Sequence, residues 1–99
     1  MKIVHDNSWD GMIVRIDVGE RLDLTAYKLF SEAISCAVEN PRVVGIQVDF
    51  SATQRLFDSG KAMLLNLKKR TRHLKIPLRL ANISPEIRQK LYGRTYNPI

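Results

Sequence analysis

Two short segments carry the side chains best placed to do chemistry. One is Val48-Asp49-Phe50-Ser51-Ala52. The other follows closely, as Phe57-Asp58-Ser59-Gly60-Lys61-Ala62-Met63-Leu64-Leu65. In the first, an apolar run ends in an acid and a small polar turn. In the second, a Ser-Gly pair opens an amphipathic stretch. That pattern presents one serine hydroxyl at a helix N-terminus, beside the end of a strand. Unpaired N–H groups and the positive end of the helix dipole meet there, and both stabilise an anion. The chemistry in view is a hydroxyl that accepts a phosphoryl group and holds the added charge. The plainer reading is that Asp58 or Ser59 caps the helix, worth about 1 kcal/mol.

Other reactive constellations are missing. His5 and His73 lie in separate segments, and neither has metal-ligand spacing around it. No glycine-rich phosphate loop is present. A Ser-Gly pair opening a helix lacks the flanking pattern of a nucleophile elbow. Cys36 has no histidine or basic cluster near it in sequence, so it reads as a small core side chain. The sequence therefore predicts a protein that is not an enzyme, with no catalytic residues, metal or cofactor.

Composition sets the remaining bounds. The 99 residues predict one domain over 1–99. The fractions, 44% hydrophobic and 26% charged, are those of a globular domain. One cysteine cannot form an internal disulfide, which points to a reducing, cytoplasmic setting. The first residues are too few and too polar for a signal peptide. No apolar run reaches the length of a membrane span, so direct membrane insertion is not expected. The net charge of +6 is concentrated in Lys68-Lys69-Arg70-Thr71-Arg72-His73-Leu74-Lys75, at the C-terminal end of a predicted helix. Cations there complement the helix dipole. No aromatic residues interleave them, so nucleic acid is not an expected partner.

The elements that must position the serine follow from patterning. Lys2 to His5 and Met12 to Val18 read as strands joined by a turn at Asp10-Gly11, with Trp9 near the tip as a lid on the core. Asp23 or Thr25 can cap a helix running to about Glu39. Its apolar stripe is Ala26, Phe30, Ala33 and Ala37, joined by Tyr27, Ile34 and Val38. Asn40-Pro41 stops it. Val43 to Phe50 reads as a central strand covered on much of both faces, with Val44, Ile46, Val48 and Phe50 on one side. A second helix spans about Ser59 to Arg72, with Met63, Leu64 and Leu67 as its stripe, widened by Leu65. Leu78 to Ala81 is a short strand. Ser84 caps the last helix, Pro85 opens it and Gly93 ends it. The order β-β-α-β-α-β-α predicts an α/β domain: a mixed sheet of about four strands with helices packed on it.

Four segments resemble the STAS domain of bacterial anti-sigma factor antagonists. Arg21-Leu22-Asp23-Leu24-Thr25-Ala26 is similar to that family's G-R-L-D segment. Val48-Asp49-Phe50-Ser51 is similar to its V-D-L-S strand end, and Ser59-Gly60 with Met63-Leu64-Leu65 to its D-S-S-G-L helix start. Leu80-Ala81-Asn82-Ile83-Ser84-Pro85-Glu86-Ile87-Arg88 is similar to its L-x-N-x-S-P-x-V-R segment. Order and length agree over nearly the whole chain. In the family the serine or threonine before the glycine accepts the phosphate, which here is Ser59. The resemblance implies a partner-binding surface of Asp23, Asp49, Ser51, Phe57, Asp58, Ser59, Gly60 and Lys61. The implied partner is a serine kinase or anti-sigma factor with a histidine-kinase-like ATP-binding fold, and any self-association would be a weak homodimer. Phe57 departs from the family's Asp, Asp58 from the first of its paired hydroxyl residues, Lys61 from an apolar residue and Glu20 from a glycine. The alternative is a non-phosphorylated STAS subunit of a membrane lipid-transport ATPase or another complex.

Overall fold

Alternation along the strands decides which face of the sheet is covered. In a computed structural model, which describes residues 2–93, the elements are β1 (Lys2–Ser8), β2 (Gly11–Asp17), β3 (Arg21–Leu22), a 3-10 turn (Leu24–Ala26), α1 (Tyr27–Glu39), β4 (Val43–Asp49), β5 (Arg55–Leu56), α2 (Asp58–His73), β6 (Leu78–Ala81) and α3 (Pro85–Tyr92). The main sheet has the order β1-β2-β4-β6. β1 and β2 form an antiparallel hairpin, while β2, β4 and β6 run parallel. The fold is mixed α/β, as the sequence predicts.

Val14, Ile16, Ile46 and Val48 point to one face and are fully buried, together with Val18 and Phe50 just beyond the strands. They pack in one cluster with Phe30, Ala33 and Ile34 of α1, Met63, Leu64 and Leu67 of α2, and Ile87 and Leu91 of α3. Burying each large apolar side chain contributes about 1.5–3 kcal/mol. Both crossovers advance the same way across the sheet, and right-handed connections then put both helices on one face. The intervening residues Arg15, Asp17, Gln47 and Asp49 are half-buried on the other face. There Arg15 pairs with Asp6 at 2.9 Å and with Asp17 at 3.0 Å. The central strand is thus covered on one face, not two, and its second face is a polar surface.

Four expectations about apolar side chains are corrected. Val44 is 48% exposed rather than part of the core. The β2–β4 register shifts between Met12 and Ile13, which pair with Val43 and Gly45, so Val44 is the extra residue of a bulge. Its side chain lies over Gly11, where a Cβ would meet Val44 Cγ1 at 2.5 Å. Trp9 is 95% exposed and covers nothing, because the tight Trp9–Asp10 turn carries it past the end of the sheet. Tyr27 and Val38 are exposed at the edge of the α1 stripe, where it borders the groove between α1 and α2. Leu65 is exposed on α2, one residue outside the buried stripe.

A small second sheet places the start of α2. β3 and β5 pair in parallel, Arg21 with Arg55 and Leu22 with Leu56. These two-residue strands are too short to show a period in the sequence. Phe57 N–H then donates to the Leu22 carbonyl at 3.0 Å. Gly60 lies directly on that carbonyl: an added Cβ would collide with its oxygen and stand 2.7 Å from its carbon. Gly60→Ala is expected to lower stability by about 1–3 kcal/mol, because two backbones must separate to admit one methyl group. Urea unfolding of both proteins measures this, and wild-type stability in Gly60→Ala would show that the approach is not close.

Candidate functional site

The expected site residues gather at the carboxyl ends of the parallel strands, the usual position for binding sites in open α/β sheets. Hydrogen bonds stitch the loops together there. Thr53 Oγ1 donates to the Gly19 carbonyl at 2.7 Å, and the Gln54 and Arg55 amides donate to the Glu20 carbonyl at 2.7 and 3.2 Å. Phe50 N–H donates to the Ala81 carbonyl at 3.0 Å. Within this frame the residues form two neighbouring groups rather than one.

The first group is the start of α2 against the 3-10 turn. Phe57 is the N-cap residue, and its side chain makes no capping bond. Neither Asp58 nor Ser59 caps the helix; both lie inside its first turn. The Phe57 carbonyl receives the first helical bond, from Lys61 N–H at 2.9 Å. The amides of Asp58, Ser59 and Gly60 precede that bond and have no carbonyl four residues back within the helix. Ser59 is half-buried, and its hydroxyl makes no hydrogen bond among the described residues. Asp58 pairs with Lys90 of α3 at 2.8 Å, and this hydrogen bond and charge hold its carboxyl below the usual range. The pair is exposed, so it offsets the charge of Asp58 more than it stabilises the fold. Asp23 caps the 3-10 turn: the Thr25 hydroxyl and amide both donate to it, and together they lower its pKa. Leu24, 65% exposed, and Phe57, 38% exposed, supply apolar surface on the two segments that meet here.

The second group is Asp49 and Ser51. Asp49 accepts from Ser51 N–H at 2.8 Å and lies 3.3 Å from Asn82 Nδ2 through each oxygen. The Ser51 amide is the largest cause of its lowered pKa. The Ser51 hydroxyl, Asn82 and Arg15 act in the same direction, and partial burial opposes them. Asp49 and Ser51 line a depression with Lys2, Arg15, Asp17 and Gly19 at the edge of the open sheet face. Asp49 thus anchors the turn after β4 and ties it to the β6–α3 link. Ser84 accepts from Ile87 N–H at 3.2 Å and is occupied as a cap, as expected.

The expected site residues did not include Leu22, Leu24, Asn82 or Lys90. The first three lie in segments that resemble the family, but nothing local gives them these contacts, and the reach of Lys90 to Asp58 depends on how α3 docks. It also missed one contact elsewhere: β1 brings His5 Nε2 to 3.7 Å from Cys36 Sγ. Cys36 is half-buried and has a histidine neighbour through space, though none in sequence. No group of three or more His, Cys, Asp or Glu side chains suited to a metal ion occurs among the described residues.

Residues 3–94 match the model of the STAS domain family, and the chain belongs to that family. Among solved structures it is similar to the anti-sigma factor antagonist SpoIIAA in its unphosphorylated form. The identity is 19% and the TM-score 0.63, over 98% of this chain and 84% of that one. It is also similar to RsbS from Moorella thermoacetica carrying a serine-to-glutamate substitution, at 18% identity and TM-score 0.75, over 98% and 80% of the two chains. A third is the phosphorylated form of the Bacillus cell fate determinant SpoIIAA, at 20% identity and TM-score 0.61, over 90% and 79%. At these identities the likeness is one of fold. No curated protein matches the sequence at a significant level.

The hydrogen bonds to Asp49 predict a pH dependence. Its folded pKa lies below the ordinary value of 3.8. The stability it contributes is therefore present above that value and is lost as the pH falls through the folded pKa. Asp49→Asn is expected to be less stable than wild type at pH 7 and to converge with it in strong acid. Urea unfolding across pH tests this; a constant difference at every pH would contradict it.

Proposed function

We propose that this STAS domain is an anti-sigma factor antagonist that works by binding, with phosphorylation of Ser59 as its switch. The observation that carries the reading is the setting of Ser59. Its hydroxyl has no partner among the described residues and lies in the first turn of α2, one residue before the glycine that seats the helix on Leu22. The known members of similar fold include phosphorylated and unphosphorylated forms of one antagonist.

The partner is a serine kinase or anti-sigma factor with a histidine-kinase-like ATP-binding fold. ATP and magnesium belong to that partner. The unphosphorylated surface around Asp23, Leu24, Phe57, Ser59 and Lys61 docks against it, with Leu24 and Phe57 as apolar anchors. Asp49 and Ser51 flank that surface and hold the loop behind it. A phosphoryl group on Ser59 brings about −1.5 to −2 charge. The orphan amides of the first turn and Lys61 stabilise that charge in the free domain. Pairing of Asp58 with Lys90 reduces the repulsion it would meet. Burying the same dianion against a partner costs several kcal/mol, against the ~8 kcal/mol that holds a micromolar complex. Phosphorylation therefore releases the partner without unfolding the domain.

Phosphopeptide mapping after incubation with the cognate kinase and ATP is expected to find phosphate on Ser59, and not on Ser51 or on the capping Ser84. Ser59→Ala should keep the fold and the affinity while blocking incorporation. Ser59→Asp should keep the fold and weaken binding at least tenfold. Phosphate at another residue, or unchanged affinity for Ser59→Asp, would remove the switch and favour a non-phosphorylated STAS subunit of a larger complex.

A further inference from the structure

The end of the molecule opposite Ser59 gathers three connections: the β1–β2 turn, the α1–β4 link and the α2–β6 link. This follows because β2, β4 and β6 run parallel and α1 and α2 return between them. Apolar side chains stand out from all three: Trp9 is 95% exposed, Val38 59%, Val44 48% and Leu74 40%. The turn bearing Trp9 is pinned to the α1–β4 link, since Arg42 Nη2 donates to the Ser8 carbonyl at 2.9 Å and Met12 N–H donates to the Arg42 carbonyl at 2.8 Å. Val38 and Leu74 border one depression together with Lys69, Arg70 and His73.

The same end is basic. Arg42, Lys69, Arg70, Arg72 and Lys75 form no ion pair among the described residues. The acids nearby in the chain are Asp10, which accepts a hydrogen bond from Ser8, and the exposed Glu39. Lys75 has a left-handed backbone, φ 59°, at the helix-ending position that glycine takes with least strain. A lysine, and not a glycine, occupies it and adds a cation to this end.

We propose that this pole docks on an anionic lipid bilayer. An exposed indole, aliphatic side chains and a ring of long cations is the combination that suits the boundary between headgroups and acyl chains. The apolar residues come from separate segments at a blunt end, which suits a broad surface more than a single peptide strand. Docking is peripheral, since no helix among the described residues is long and apolar enough to cross a membrane. The 16 residues of α2 separate this pole from the Ser59 site by about 24 Å, so a docked molecule keeps the switch surface open.

Trp9 is the only tryptophan of the chain and reports the contact directly. The test is sedimentation of the full chain with vesicles of phosphatidylcholine containing one-third phosphatidylglycerol, and with phosphatidylcholine alone, at about 0.1 M salt. Binding is expected only to the anionic vesicles, with a blue shift of Trp9 emission and protection from acrylamide. A surface cation contributes about fivefold to such binding, so Lys69→Glu with Arg72→Glu should weaken it by about thirtyfold or more. Arg55→Glu with Arg88→Glu gives the same net charge away from this pole and should weaken it only a few-fold. Trp9→Ala should also weaken binding and tests the same surface without touching α2. Equal loss in the two double variants, or unchanged Trp9 emission on binding, would overturn the proposal. Absence of vesicle binding would also overturn it, and retention on polyglutamate in that case would assign the pole to an acidic macromolecule.

Discussion

The position of Ser59 depends on the close approach of two backbones, at Gly60 and Leu22. A helix start is normally held by a side-chain cap, and α2 has none. Its first turn is instead laid on a carbonyl of β3, and Phe57 N–H bonds to that same carbonyl. With the cap position taken by Phe57, the neighbouring polar side chains are released from capping. Asp58 turns to Lys90, and the Ser59 hydroxyl stays unpaired among the described residues. A Cβ at Gly60 would separate the turn from β3 and move the serine away from Asp23 and Leu24. The glycine after the serine is therefore a packing requirement of this helix start.

Charge is distributed along α2 in the sense of its dipole. Asp58 lies in the first turn, and Arg70 and Arg72 in the last. Asp23 and Asp49 add carboxylates near the N-terminal end, each held ionised by hydrogen bonds from its own loop. The helix gives the molecule two poles of different character. One presents a hydroxyl among compensated acids and two exposed apolar side chains. The other presents uncompensated cations around exposed apolar side chains. The net charge of +6, a plain composition figure, acquires a place in the structure.

Much of this fold is legible in the sequence because its longer elements have clear periods. The alternation Val14, Ile16, Val18 and the Phe30, Ala33, Ile34 stripe place β2 and α1 correctly, and Ser84-Pro85 with Gly93 brackets α3. What escapes is non-local. Val44 continues a regular alternation, and only the register against β2 shows that a bulge removes it from the core. Trp9 reads as a lid because large apolar residues usually cover something, but a two-residue turn projects it outward. The β3–β5 pair, two residues a side, has no period to detect, yet it is what seats α2. Around the candidate site, Ser59 and Gly60 are singled out by motif and Asn82 lies within a quoted motif, whereas the contacts of Asn82 with Asp49 and of Lys90 with Asp58 arise only through tertiary packing.

The proposed partner surface is the start of α2 together with the 3-10 turn. The most direct measurement is amide NMR of the isotopically labelled chain titrated with its cognate serine kinase. Signals of residues 22–27 and 57–62 are expected to shift or broaden first, with smaller changes at 49–51. Signals of 38–44 and 69–75 should stay in place. Perturbation centred on 38–44 and 69–75, or on the open sheet face at Arg15, Gln47 and Arg79, with 57–62 unchanged, would contradict it.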